Sequence, residues 1–123
     1  MSDSYLIFHV EDNFENRILV RRLLQATGYQ VIEAENANQA LDMLNTIQPT
    51  LILLDMNMPD MDGYTLTNRI KSIPKLMNVP IVAITANVMK GDCEKALQVG
   101  CDGYIEKPID IDKFPEQIAR FIG

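Results

Sequence analysis

Five short runs of Leu and β-branched residues alternate with stretches whose apolar residues recur at helical spacing, and the alternation begins within the first few residues. The runs are Tyr5 to Val10, Gln30 to Glu33, Leu51 to Leu54, Ile81 to Ile84 and Gly103 to Ile105. Between the first two, Leu19, Val20, Leu23 and Leu24 form an i, i+1, i+4, i+5 stripe with Arg17, Arg21 and Arg22 off it. That spacing predicts an amphipathic helix stopped by Gly28. Asn38 to Ile47 repeats the pattern with Ala40, Leu41 and Leu44 inward, and Pro49 closes it. Further helices are expected over Tyr64 to Ser72, Val88 to Val99 and Ile111 to Ile122. Gly91-Asp92 either interrupts the fourth helix or starts it. Pro115 is best tolerated in a first turn, which moves the start of the fifth a few residues past Ile111. Mostly apolar strands separated by helices indicate an α/β fold with a parallel sheet covered on both faces, in three layers.

The chain's 123 residues and 47% hydrophobic content supply one core, so residues 1–123 are read as one domain. With a net charge of −6 and no run of Lys or Arg, direct nucleic-acid binding is not expected. The apolar stretches are strand-sized, and Met1-Ser2-Asp3-Ser4 lacks the regions of a signal peptide, so the expectation is a cytoplasmic protein without membrane contact. Cys93 and Cys101 have no CxxC spacing and no His nearby, which favours free, partly buried thiols over a zinc site or disulfide.

In a parallel sheet all strands end on one side, and ligands bind beyond those carboxyl ends. The first run ends in Glu11-Asp12, the third in Asp55, the fourth in Thr85 and the fifth in Glu106-Lys107. The set expected to converge is Glu11, Asp12, Asp55, Thr85 and Lys107, with Glu106 pointing away. Each has an ordinary reading alone: Asp12 as a helix cap, Asp55 as a turn former, Thr85 as a strand-end hydroxyl, Lys107 as a solvated charge. Their coincidence at successive strand ends outweighs these. Three crowded carboxylates repel unless a cation neutralises them, and an all-oxygen site of this kind suits magnesium, or manganese as a substitute.

Four segments resemble the signature of the CheY-like receiver domains of two-component response regulators, in order and spacing. They are Phe8-His9-Val10-Glu11-Asp12-Asn13, Ile52 to Asp55 running on through Met56-Asn57-Met58-Pro59-Asp60-Met61-Asp62-Gly63, Ile84-Thr85-Ala86, and Tyr104-Ile105-Glu106-Lys107-Pro108. Met89-Lys90-Gly91-Asp92 and Gly100-Cys101 further resemble the DivK-like and hybrid-kinase branch. The resemblance implies a flavodoxin-like, doubly wound, five-stranded parallel sheet of order 2-1-3-4-5. It implies that Asp55 takes a phosphoryl group from phosphohistidine on a histidine kinase or histidine phosphotransfer domain. Asp12, Asp55 and the backbone carbonyl of Asn57 would ligate magnesium, with Glu11 acting through water. Thr85 and Lys107 would bind phosphoryl oxygens, and Lys107-Pro108 would be a cis peptide that fixes where the ammonium points. Ala86 would leave room over the site, and Gly63 would end the loop after the acceptor. Thr85 and Tyr104 would form the switch that presents the fourth helix, fifth strand and fifth helix to a downstream protein.

Two positions depart from that pattern: Glu11 stands for the commoner Asp, and His9 stands where an aliphatic residue is usual. Glu11 lengthens its arm by one methylene and keeps its carboxylate. His9, the single histidine, lies inside a strand and is expected to be packed and hydrogen-bonded rather than a phosphate relay. A haloacid-dehalogenase-type hydrolase would want an acid two residues after the nucleophile, where Asn57 stands, and a cap insertion that is lacking here. A flavodoxin-like cofactor binder would want a phosphate loop where Glu11-Asp12 repel phosphate. A pseudo-receiver would not need the complete set. The protein is therefore expected to be no conventional turnover enzyme but a receiver that promotes its own phosphorylation and dephosphorylation, free-standing or cut from a longer regulator.

Overall fold

The computed structural model describes residues 5–86 and 91–122. Its elements are β1 (Leu6–Val10), α1 (Phe14–Ala26), β2 (Gln30–Ala34), α2 (Ala37–Met43), β3 (Leu51–Asp55), α3 (Gly63–Lys71), a 3-10 turn (Pro74–Leu76), β4 (Ile81–Thr85), α4 (Asp92–Gln98), β5 (Gly103–Glu106) and α5 (Phe114–Ile122). The strands pair in parallel in the order β2-β1-β3-β4-β5, as the resemblance implied.

Strand alternation divides the core into two layers. Phe8, Val10, Ile52, Leu54 and Ala83 face Ala40, Leu44, Leu66 and Ile70, whereas Ile7, Leu51, Leu53, Val82 and Ile84 face Val20, Leu24, Phe114 and Ile118. Helices α2 and α3 thus cover one face and α1 and α5 the other. The central strands β3 and β4 are buried at every residue, which is why they read as continuous apolar runs.

Element ends differ from the pattern where caps take over. Helix α2 begins at Ala37 because the Asn36 side chain accepts from the Gln39 amide. It ends at Met43 rather than Ile47, where the Thr46 hydroxyl donates to the Met43 carbonyl. In the fourth segment Gly91, at φ +80°, is the N-cap and α4 starts at Asp92. Val88 to Lys90, assigned to that helix by pattern, lie outside the described residues. Helix α5 starts at Phe114, with Pro115 in its first turn.

The Cys101 thiol is free and buried, 3.6 Å from the Thr67 hydroxyl, while the side chain of Cys93 is outside the description. Among the described residues no helix is long and apolar enough to cross a membrane.

Candidate functional site

The carboxyl edge of the sheet gathers the residues that the strand ends supply. The Glu11 and Asp55 side chains are buried and Asp12 is exposed beside them. One carboxylate oxygen from each of the three lies within 4.8 Å of the others. Lys107 reaches over from the end of β5, with Nζ 3.3 Å from Asp55 Oδ1 and 3.5 Å from Glu11 Oε1. Thr85 is buried at the end of β4, and its carbonyl accepts from the Lys107 amide at 2.8 Å. The Lys107-Pro108 peptide is cis, as expected. Glu106 and Tyr104 are exposed on the face of β5 opposite Ile105, the face that Thr85 shares through its register with Glu106.

Local hydrogen bonds hold each carboxylate in place. Asn13 is the N-cap of α1, accepting from the Asn16 amide at 2.9 Å, so capping falls to it and leaves Asp12 for the site. The Asn13 amide donates to Glu11 Oε2 at 3.3 Å, and Arg17 donates to the Glu11 carbonyl at 2.7 Å. Asp55 Oδ1 accepts from the Asn57 amide at 3.1 Å, which turns the chain after β3. That loop closes where the Gly63 amide meets the Met56 carbonyl. A Cβ at Gly63 would stand 2.6 Å from Met56 Cα, so this close approach requires glycine. Arg17 was missed from the sequence, since its place four residues after the cap reads as a solvated helix face.

Burial, reinforced by the neighbouring Asp55, raises the Glu11 pKa from 4.5 to about 7, and the Lys107 ammonium offsets only part of this. The protein alone therefore leaves this cluster short of positive charge, and its all-oxygen donor set fits a hard divalent cation.

The description "Response regulator receiver domain" belongs to the family model that matches residues 7–119. The chain belongs to this family. A receiver's relatives agree: the polar-differentiation response regulator DivK of Brucella anthropi is 41% identical over 114 residues, 93% of each chain. The receiver domain of sensor histidine kinase PA1611 from Pseudomonas aeruginosa, solved with magnesium in its active-site cleft, superposes with TM-score 0.89 at 34% identity, covering 97% of this chain and 98% of that one. Chemotaxis protein CheY4 of Vibrio cholerae, at 24% identity, shares the fold with TM-score 0.90 over 95% of this chain and 98% of its own. The protein is accordingly a phosphoacceptor receiver of two-component signalling.

One reading of this receiver's sequence needs correction. His9 is fully buried and packed as expected, yet neither ring nitrogen has a hydrogen-bond partner among the described residues. Its strand neighbours on that face are largely aliphatic, and the Glu33 side chain in register with it gives its Oε1 to Arg21.

Proposed function

We propose that Asp55 is the phosphoacceptor, taking the phosphoryl group from phosphohistidine on a kinase or histidine phosphotransfer domain. An Asp55 carboxylate oxygen bonds to phosphorus as the P–N bond to the imidazole breaks, and the leaving imidazole keeps the electron pair and takes up a proton. Glu11, Asp12, Asp55 and the Asn57 carbonyl would hold magnesium, with manganese a substitute. Bound there, the cation supplies the charge neutralisation that lets an anionic donor approach a carboxylate. Lys107, anchored on Glu11 and Asp55, is placed to pair with a phosphoryl oxygen, and the Thr85 hydroxyl to donate to another. These groups make the domain a participant in its own phosphorylation and dephosphorylation without being a turnover enzyme.

The observation that carries this reading is the double ion pair of Lys107 with Glu11, just past β1, and Asp55, at the end of β3, two carboxylates sharing one ammonium at the sheet edge. A cleft of about 390 Å3 lined by Asn16, Leu19, Ala86, Lys107, Pro108 and Ile109 opens beside Lys107. A histidine kinase or phosphotransfer domain is then the upstream partner, in the cytoplasm. The downstream partner is a protein that reads the α4-β5-α5 face, on which Tyr104 is exposed.

Acetyl phosphate with magnesium is expected to add one hydroxylamine-labile phosphoryl group to the wild type and none to Asp55→Asn, by intact-mass measurement. Magnesium titration should perturb amide resonances at Glu11, Asp12 and Asp55, much less so in Asp12→Ala. A stable adduct, or one that persists in Asp55→Asn, would overturn the assignment.

A further inference from the structure

His9 has no part in the chemistry above, yet it lies directly beneath it. Side chains alternate along extended chain, and the Glu11 amide still reaches the Ala34 carbonyl just past β1, so His9 and Glu11 fall on one face about 6.6 Å apart along the chain. Parallel register pairs His9 with Leu53, so Asp55, two residues on, stands over the same face. Across the sheet His9 is in register with Glu33 of β2. Glu33 Oε1 holds Arg21 of α1 at 3.1 Å, whereas Oε2 is buried without a hydrogen-bond partner among the described residues. Two side chains with orphaned polar atoms thus face each other on adjacent strands. A neutral imidazole carries one N–H and one bare nitrogen, so one edge of the ring can donate. A single imidazole N–H and one carboxylate oxygen match as donor and acceptor. Rotation about the soft χ2 of histidine decides which ring edge meets that oxygen.

We propose that His9 is a positioning residue for the phosphoacceptor site. In this arrangement its N–H turns to the open oxygen of Glu33, which Arg21 anchors from α1, and the fixed ring forms the floor under Glu11 and Asp55. A rigid floor sets where Glu11 stands, and Glu11 in turn is one of the two anchors of Lys107. This rests on the reading of Glu11, Asp12 and Asp55 as a magnesium site.

The test compares wild type, His9→Leu, His9→Gln and Glu33→Gln for thermal midpoint, magnesium affinity, and phosphorylation rate with acetyl phosphate. His9→Leu is expected to fold, yet to bind magnesium about 10-fold more weakly and to be phosphorylated more slowly. His9→Gln, which keeps a donor, should recover part of the loss. The 15N resonances of the His9 imidazole should move on adding magnesium to the wild type, and should differ in Glu33→Gln. Magnesium affinity unchanged in His9→Leu, or imidazole resonances indifferent to Glu33→Gln, would overturn the proposal. Failure of the wild type itself to bind magnesium would instead remove the underlying site reading.

Discussion

His9 in β1 and Glu11 just past it stand two residues apart, and burial moves their proton affinities in opposite directions. Burial, with Asp55 beside it, raises the Glu11 pKa from 4.5 to about 7, so the folded metal-free protein holds a proton that the unfolded chain has released. That contribution to stability is complete below 4.5 and is lost as pH rises through about 7. Burial lowers the His9 pKa from 6.5 to about 3, so the unfolded chain takes up a proton that the folded ring refuses. The His9 contribution is present above 6.5 and is lost as pH falls toward 3. Between 4.5 and 6.5 the two slopes oppose each other. Urea midpoints measured with a chelator present should therefore change little across that window in the wild type. His9→Leu should lose stability as pH rises through it, and Glu11→Gln should gain.

Among the elements, the loop after β3 and helix α2 are joined by a contact that neither segment announces. Asp60 Oδ1 accepts from the Ala37 amide at 3.1 Å and Oδ2 from the Asn38 amide at 3.0 Å, satisfying two donors of the first turn of α2. Slight burial pushes the Asp60 pKa up, but the Asn38 and Ala37 amides outweigh it and hold the carboxyl below its ordinary value. Asp60→Ala should cost about 1 kcal/mol in urea denaturation, the usual loss for a helix cap. Amide exchange should rise at the start of α2 and leave α5 unchanged. The same loop carries Asn57, so the acceptor turn and α2 are tied within a few residues. A second clasp closes the opposite end of the sheet: Lys71 Nζ donates to the Val79 carbonyl at 2.9 Å and meets Asp102 at 3.3 Å, while Asp102 also accepts from the Ile81 amide.

For the whole molecule, sheet order decides how a change at Asp55 can spread. Thr85 pairs in register with Glu106, and Ala83 with Tyr104, so Thr85 and Tyr104 share one face of the β4-β5 pair. Thr85 is buried and Tyr104 is exposed. A modification shifts a conformational balance only through interactions that differ between the two states. Added phosphoryl oxygens would draw on Thr85 and so change the packing beside Tyr104. On this account phosphorylation alters amide exchange along α4, β5 and α5 in the wild type, and Thr85→Ala is still phosphorylated but responds much less. A response confined to α1 and α2, or a full response in Thr85→Ala, would contradict that route.

The sequence alone carried the alternation of five strands with five helices, and with it the edge at which the strand ends meet. Those signals are local: a buried parallel strand must be apolar throughout, and the polar residue that ends it must emerge at one side of the sheet. Glu11, Asp12, Asp55, Thr85 and Lys107 were legible for that reason. Tertiary structure decided what depends on neighbours distant in the chain. Asp60 caps α2 across 23 residues, Arg17 holds the Glu11 carbonyl, and Asn36 rather than pattern sets where α2 begins. His9 was expected to find a hydrogen bond because buried polar groups generally do. Which groups face the ring depends on cross-strand register and on which Glu33 oxygen Arg21 holds, and only the folded chain brings those three residues together.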